Sequence, residues 1–183
     1  MGSQEKAANP EAFEAWAAKM TFDEFIVQYK LDGASLELQY ERGAFAKAVT
    51  RGDGRIGDDI TANARKMRGV VPVLSGESGP EGAHPFSGGV RGEVIMSHAV
   101  HDEFFSDKAN CRNAANGLMK RKDGSGSERL EVICYDAAPG IPGSPFTGHM
   151  PFSDEYGKIE WLKGNGFTTV PTETCTGALA VIE

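Results

Sequence analysis

The sequence predicts an α+β fold, and three observations support that class. Strand patterns and helix patterns are interleaved along the chain. The strands of the N-terminal half are joined by connections of hairpin length, which favour antiparallel pairing. The chain has 23 glycines among its 183 residues, as many tight turns require. At 40% hydrophobic residues it can bury one sizeable core, so we expect antiparallel sheets flanked by helices in one domain.

The N-terminal elements follow from local patterns. Asn9 followed by Pro10 predicts a helix start, and apolar residues at helical spacing follow on one face. Residues 25–31 then form a β-rich run. Apolar and polar residues alternate over 36–40, and a third strand pattern covers 44–50. Together these three runs predict an antiparallel meander.

The remaining elements alternate between strand, helix and loop. Three glycines forbid regular structure over residues 51–57 and favour a loop whose backbone comes close to a ligand. Beyond it we expect a short helix from Asp58 or Asp59 to about Arg68, a loop over 75–88, a strand over 89–96, a helix opened by Ser97 through Phe105, a helix over 112–122, a strand over 129–137, a loop over 139–151, and a helix capped by Ser153 to Asn165.

Composition excludes several functional classes. Nineteen Lys and Arg against 26 Asp and Glu give a net charge of −7, so this chain is not expected to bind DNA unaided. No apolar run approaches the roughly 18 residues of a membrane span, and the N-terminus lacks a signal-peptide core. Three widely separated cysteines fit reduced thiols better than disulfides or a zinc site. We therefore expect a cytoplasmic protein without a membrane partner.

Lys30-Leu31-Asp32-Gly33 is the first candidate for chemistry. At the end of an apolar strand, Gln28, Lys30 and Asp32 would share one face. A desolvated lysine amine can act as a nucleophile, and a nearby carboxylate can orient it or take its proton. The alternative is a Lys–Asp pair on an edge strand, which has no chemistry.

Two further candidates offer charges suited to a nucleotide. Arg51 lies among glycines, an arrangement that suits a phosphate or ribose clamp. A plain turn and an Arg-Gly-Asp cell-adhesion tripeptide are the alternative interpretations of the same residues. Glu93 lies in the middle of the apolar strand Arg91-Gly92-Glu93-Val94 and therefore needs a hydroxyl, a cation or metal-bound water. A salt bridge to a neighbouring strand is the alternative for Glu93.

The last candidates are a basic helix and an aromatic residue. Arg112 opens a segment that continues to Lys120, Arg121 and Lys122, and this concentrates positive charge as a polyanion contact would, or as a solvated helix face does. Tyr135 could stack on a base or could be a half-buried core residue.

In identity and order, these motifs resemble the adenylation (nucleotidyltransferase) domain of bacterial NAD-dependent DNA ligases. Lys30-Leu31-Asp32-Gly33 matches the nucleotidyl-acceptor motif of that family. Residues 50–54 and 57–65 match its long signature, and Arg91-Gly92-Glu93-Val94 and Arg112-Asn113-Ala114-Ala115-Asn116-Gly117 match the next two motifs. The resemblance covers about residues 9 to 180. It implies the nucleotidyltransferase (ATP-grasp-like DNA ligase/mRNA capping enzyme) core.

The resemblance also implies a reaction and its residues. Lys30 would attack the α-phosphate of NAD, release nicotinamide mononucleotide and carry AMP, with Asp32 assisting. The AMP would then pass to the 5′-phosphate of nicked double-stranded DNA, in a magnesium-dependent enzyme of DNA replication and repair. The family resemblance assigns nucleotide binding to Gln28, Leu31, Arg51, Glu93 and Tyr135, assigns phosphate or DNA contact to Arg112, Lys120 and Arg121, and assigns no residue as a metal ligand.

The chain departs from the family at several points. Gln28 stands where the family usually has an adenine-contacting glutamate, and Lys120 stands where it commonly has a second arginine. We find no module for the nicotinamide mononucleotide half of NAD, no late lysine motifs and none of the downstream domains. We therefore expect residues 1–183 to be a partial adenylation domain, monomeric and unable to seal nicks alone. The alternatives are a non-catalytic nucleotide-binding remnant and an ATP-dependent nucleotidyltransferase.

Overall fold

The computed structural model describes residues 6–54, 56–75, 85–140 and 151–182. Parts of the two loops expected over 75–88 and 139–151 lie outside these described residues. In chain order the elements are α1 (Pro10–Ala17), β1 (Glu24–Gln28), β2 (Ala34–Glu41), β3 (Ala44–Thr50), α2 (Thr61–Ala64), β4 (Gly88–Ile95), α3 (His98–Phe104), α4 (Cys111–Leu118), β5 (Glu131–Pro139), α5 (Glu155–Gly164), β6 (Thr172–Thr176) and α6 (Ala178–Ile182).

The chain divides into two units that we describe separately. Unit 1 combines Met1–Lys30 with Val170–Glu183, and unit 2 is the continuous segment Leu31–Thr169. Each unit contains an antiparallel sheet and helices, which confirms the α+β class. No helix within the described ranges is long and apolar enough to cross a membrane.

Unit 1 is a two-stranded sheet with two short helices. Helix α1 begins as predicted, because the Asn9 Oδ1 atom accepts a hydrogen bond from the Ala12 N–H at 2.9 Å. Phe13 on this helix lies 5.5 Å, between ring centroids, from the buried Phe25 of β1. Strand β1 pairs antiparallel with β6, with Gln28 opposite Thr172. Aromatic packing and this short ladder therefore organise unit 1.

The predicted meander is wrong in its first strand. β1 ends at Gln28 and pairs with β6 of unit 1, whereas β2 and β3 form the predicted hairpin in unit 2. The reason lies at Gly33, where a Cβ atom would overlap the Val94 carbonyl oxygen on β4. The chain is therefore irregular over residues 29–33 before β2 begins.

Unit 2 is built on a four-stranded antiparallel sheet in the order β3-β2-β4-β5. One face of the sheet is apolar and packs against α2, α4 and the turns around them. Its fully buried side chains include Leu36, Leu38, Tyr40, Val90, Val94, Val132 and Cys134. The strand period of two places Ser35 and Glu37 of β2 on the opposite face, beside their cross-strand partners Glu93 and Arg91. That opposite face is polar.

Several predicted helix boundaries are wrong. The helix expected from Asp58 or Asp59 to Arg68 is only the four residues of α2, because its Asp59 carboxylate accepts the Thr61 N–H in a local turn before the helix. The helix expected over 112–122 is α4, which Asn110 caps and which ends at Leu118.

Of the two other predicted helix caps, one is confirmed and one is wrong. The helix opened by Ser97 is confirmed as α3, since the Ser97 hydroxyl oxygen accepts the Val100 N–H. Helix α5 is capped by Asp154 rather than Ser153. The Asp154 Oδ1 atom accepts the Gly157 N–H at 2.7 Å, while the Ser153 hydroxyl donates to Asp154 Oδ2. The charged acceptor therefore takes the capping position.

Candidate functional site

The glycine-rich loop after β3 is held by its own backbone. A Cβ atom at Gly52 would overlap the Ile56 carbonyl oxygen, and one at Gly57 would overlap the Thr50 carbonyl oxygen. The Thr50 hydroxyl accepts the Asp58 N–H at 2.9 Å and closes the turn from the other side. The glycines were expected to let the loop backbone approach a ligand closely. The close contacts that require glycine here are instead made with the backbone of the loop itself. The result is a fixed position for Arg51.

A cleft of about 440 Å³ lies in unit 2 between the start of β2, this loop and helix α4. Three of the predicted anion-binding residues, Arg51, Arg112 and Lys120, line this cleft together. Apart from Met119, the other lining residues are small or polar, and they are Gly33, Ala34, Ser35, Thr50, Gly52, Asp53, Asn113 and Asn116. A cleft with three cations and amide side chains suits a phosphate-bearing ligand.

Ion pairs place the cations of the cleft. The Arg112 Nη1 atom lies 3.2 Å from Asp32 Oδ1, and Lys120 Nζ lies 2.9 Å from Asp58 Oδ2. All four side chains are at least 40% exposed, so each pair contributes little to stability. The pairs instead orient Arg112 and Lys120 at the cleft, and they bring Asp32 beside it.

Glu93 and Tyr135 meet through Ser35 on the polar face of the sheet. The Ser35 hydroxyl donates to Glu93 Oε2 at 2.8 Å, and the Ser35 side chain also lies near the Tyr135 phenol, where it acts to lower the pKa of that phenol. Burial and the neighbouring Glu93 carboxylate raise the pKa of Tyr135. The partner that Glu93 requires is therefore a hydroxyl, one of the options predicted.

A β-bulge sets the position of Tyr135. Gly92 pairs with Cys134 but Arg91 pairs with Asp136, so Tyr135 is the extra residue of β5 between two paired positions. It is half-buried. The salt bridge that was the alternative for Glu93 is instead formed by Arg91.

Arg91 belongs to an ion network across three strands and α5. Its guanidinium lies 3.2 Å from Glu37 Oε2 and 3.0 Å from Asp136 Oδ2. Burial lowers the pKa of Arg91, but its hydrogen bonds to both carboxylates outweigh burial and raise it overall. Lys158, a buried residue of α5, completes the network with Asp136 at 2.7 Å. This network fixes the strand that carries Glu93.

Of the other predicted residues, Gln28 and Lys30 belong to unit 1 and Leu31 belongs to unit 2. Lys30 is exposed and follows the last β1 residue by two positions, so the expected apolar strand setting, with Gln28, Lys30 and Asp32 on one face, is wrong. Gln28 Nε2 donates to Thr172 Oγ1 at 3.0 Å across the ladder. Leu31, the first residue of unit 2, is half-buried outside any strand.

Arg121 does not line the cleft with Arg51. Its guanidinium donates to Ser125, and its carbonyl oxygen accepts from the Asn63 amide. It lines a second depression of about 680 Å³, which shares only Lys120 with the first. The basic segment is therefore divided between two surfaces.

A resident metal cage is not part of the site over the described residues. No group of three or more His, Cys, Asp or Glu side chains in those ranges is arranged to hold a metal ion. Mg²⁺ binds proteins through one or two carboxylates together with substrate phosphates and waters.

Sequence analysis did not single out Ser35, Glu37 or Lys158. Ser35 and Glu37 had a usable signal, because they alternate with the buried Leu36 and Leu38 and so belong to the polar face. Lys158 gave no such signal, since its partner Asp136 is 22 residues away.

Comparisons with known proteins bear on these residues. The family model of the NAD-dependent DNA ligase adenylation domain matches residues 1–183. The chain belongs to this family. The DNA ligase of Treponema denticola is 59% identical over 184 residues, and that of Treponema pallidum is 57% identical over 182, both matching 100% of this chain. The DNA ligase of Leifsonia xyli is 38% identical over 186 residues, with 87% of this chain covered.

These matches cover all or most of this chain but only part of each relative. The chain spans 28% of the T. denticola protein, 22% of the T. pallidum protein and 24% of the L. xyli protein. It is thus an NAD-dependent DNA ligase adenylation domain sequence that corresponds to about a quarter of a DNA ligase. A solved structure named Pmar-Lig_Pre. has a TM-score of 0.48 at 15% identity, over 89% of this chain and 34% of that one.

Proposed function

We propose that this chain performs the adenylation half-reaction of an NAD-dependent DNA ligase, with Lys30 as the residue that carries AMP. The observation that carries the proposal is the cleft of unit 2, in which Arg51, Arg112 and Lys120 converge. Gly33, which lines this cleft, is three residues after Lys30 in sequence. Lys30 and Gly33 belong to the same four-residue motif, Lys30-Leu31-Asp32-Gly33.

The proposed step balances as a nucleotidyl transfer. The Lys30 Nζ atom attacks the α-phosphorus of NAD and forms a nitrogen–phosphorus bond. The bond from that phosphorus to the nicotinamide mononucleotide phosphate breaks, and the amine gives up its proton. Negative charge increases on the leaving phosphate, and the cations of Arg51, Arg112 and Lys120 are suited to stabilise it.

Carboxylates and aromatics would recognise the rest of the nucleotide. Glu93 is suited to accept hydrogen bonds from ribose hydroxyls, and Tyr135 to stack on adenine. The Gln28 amide nitrogen is occupied by Thr172, which leaves its oxygen to accept from the adenine amino group. Leu31 would contribute apolar contact to the nucleotide.

Asp32 and the basic residues have proposed roles at either end of the reaction. Asp32 is suited to orient Lys30 or to receive its proton, and its ion pair with Arg112 ties it to the phosphate-binding cations. Arg121, on its separate surface, is suited to contact DNA phosphates. Magnesium would supply charge neutralisation at the phosphates when bound.

The whole ligase would then join nicked double-stranded DNA, and these later steps need parts that this chain does not supply. At a net charge of −7 the chain has only local basic surface for DNA. A cytoplasmic location and a monomeric state accompany the proposal as predictions. The family match favours NAD over ATP and favours an enzyme over a non-catalytic remnant.

The test uses a complete enzyme that carries this chain. Replacing the matching 28% of the T. denticola ligase with this chain gives a chimera that has every other domain of that ligase. The chimera is incubated with Mg²⁺ and with NAD that is labelled in its AMP moiety. We expect mass spectrometry to detect a covalent, acid-labile adduct on the chimera, and we expect the chimera to seal a nicked duplex. Lys30→Ala is expected to abolish both activities.

Lys19→Ala, which removes an exposed lysine of the same unit, is the matched control and should keep both activities. A chimera that folds by circular dichroism and still becomes adenylated after Lys30→Ala would contradict the role of Lys30. Preference for ATP over NAD in a competition assay would contradict the proposed substrate.

A further inference from the structure

Ser35 occupies a central position among the candidate residues. Its hydroxyl donates to Glu93 Oε2 at 2.8 Å, and its carbonyl oxygen accepts the Arg51 N–H at 3.2 Å. Its side chain lies near the Tyr135 phenol, and the residue lines the cleft. One small residue thus contacts three residues that the proposed function assigns to the nucleotide.

The proton count fixes what the Ser35 hydroxyl can do. A serine hydroxyl has a single proton, and here it is donated to the Glu93 carboxylate. Burial and the Glu93 charge raise the pKa of the neighbouring Tyr135 phenol, which keeps that phenol protonated and uncharged beside the pair. The hydrogen bond from Ser35 is therefore directed to Glu93 alone.

Glu93 requires a hydrogen-bond donor because its carboxylate is nearly buried. It is 9% exposed, and an ionised carboxylate that is nearly buried is costly unless its oxygens are hydrogen-bonded. The bond from Ser35 satisfies Oε2 and restricts rotation of the carboxylate plane. The other oxygen, Oε1, is then held in one orientation.

We propose that Ser35 is a positioning residue, which holds the Glu93 carboxylate so that its second oxygen binds a sugar hydroxyl of the nucleotide. This inference rests on the proposed function for the identity of the nucleotide. Ser35 acts through Glu93, and its own contact with the nucleotide is not required. Its backbone bond to Arg51 is independent of the side chain and survives substitution.

The test measures nucleotide binding and adenylation in the chimera described above. Ser35→Ala should raise the NAD concentration that gives half-maximal self-adenylation by at least about tenfold, as the loss of one hydrogen bond to a charged group predicts. The maximal rate should change by less than about twofold, since the lost contact is made before the transition state. Ser35→Thr, which keeps the hydroxyl, should restore affinity, and Ser106→Ala at an exposed site is the matched control.

Two further measurements separate positioning from general support of the fold. By calorimetry, the unsubstituted chimera should bind AMP more tightly than either 2′-deoxy-AMP or 3′-deoxy-AMP, and Ser35→Ala should shrink that preference. In a double-mutant cycle, Ser35→Ala should have no additional effect on AMP affinity once Glu93 is Ala. Full additivity, or equal losses for AMP and both deoxy analogues, would overturn the proposal.

The outcomes also distinguish this inference from the proposed function. If the chimera becomes adenylated and Ser35→Ala leaves its NAD dependence unchanged, the Ser35 role is wrong and the proposed function stands. If the chimera binds AMP with the expected Ser35 dependence but Lys30 is never adenylated, the proposed function is wrong and the Ser35 role stands. If AMP does not bind at all, both are wrong.

Discussion

Arg112 Nη1 lies 3.2 Å from Asp32 Oδ1, and this ion pair ties helix α4 to the residue two positions after Lys30. The Arg112 side chain is 58% exposed and that of Asp32 is 79% exposed, so water screens the pair. Its value is geometric, because it holds a cation of the cleft beside the proposed acceptor segment.

Asp32→Asn is therefore expected to lower the rate of self-adenylation with little change in the free energy of unfolding. We expect the free energy of unfolding to change by less than about 0.5 kcal/mol in urea titrations, as for an exposed pair. We expect the rate of self-adenylation in the chimera to fall by at least about tenfold, since an amide cannot take a proton from Lys30. Asp107→Asn, at another exposed ion pair, is the control. Unchanged adenylation in the Asp32 variant would exclude the proposed role.

Gly33 and Gly117 provide a matched pair for backbone packing. Gly33→Ala should destabilise the chain by about 2–3 kcal/mol, because the new Cβ meets the Val94 carbonyl oxygen and lies 2.9 Å from Glu93 Cγ. Gly117→Ala has open space around its Cβ in helix α4 and should stabilise by about 0.5–1 kcal/mol. Chemical denaturation of both variants checks the signs. Equal effects would show that Gly33 does not pack against β4 as described.

Lys158 tests the ion network behind the site. Lys158→Met removes a side chain that is only 9% exposed and leaves Asp136 with one cation, so we expect a loss of about 2 kcal/mol. Glu155→Gln changes the 74% exposed partner of the same lysine and should cost less than about 0.5 kcal/mol. Thermal unfolding of the two variants provides the comparison. A larger loss at Glu155 would contradict the assigned importance of the Lys158–Asp136 pair.

Cys134 gives a pH prediction. Burial raises the pKa of the Cys134 thiol from 9.0 to about 12. A pKa that is higher in the folded state gives stability that is complete below pH 9 and is lost as the pH rises toward 12. At pH 10 the loss from this thiol is about 1.4 kcal/mol.

Cys134→Val removes the thiol at similar volume. The difference in unfolding free energy between pH 8 and pH 10 should therefore be smaller in this variant by about that amount. The raised pKa values of Tyr40 and Tyr135 give losses of the same sign with a later onset, and both phenols remain in both proteins. An identical pH dependence in the two proteins would show that Cys134 is not the source.

Local patterns predicted the sheet of unit 2 better than they predicted unit 1. The hairpin of β2 and β3 follows from alternation and a tight turn, which are both local. β6 and α6 were not predicted, because Thr172–Thr176 has little apolar content and α6 has five residues. The pairing of β1 with β6 joins residues about 144 positions apart, and no periodicity reports it.

At the candidate site, too, some positions were predicted correctly from local sequence and others were not. The motif order allowed Arg51, Arg112 and Lys120 to be chosen, and the structure places all three at one cleft. Lys30 was expected in an apolar strand, but β1 stops at Gln28 and leaves it exposed. The hydroxyl that donates to Glu93 could not be identified from the sequence, because it depends on strand register, which is set by pairing across the sheet.

The pairing of β1 with β6 also orders events during synthesis. Unit 2 is one continuous segment, so its sheet can close before β6 has been synthesised. β1 is made first but cannot complete its pairing until Thr176 has emerged from the exit tunnel. Pairing of the strand that precedes the proposed acceptor Lys30 thus follows the synthesis of unit 2, and a nascent chain released before β6 would contain the cleft with β1 still unpaired.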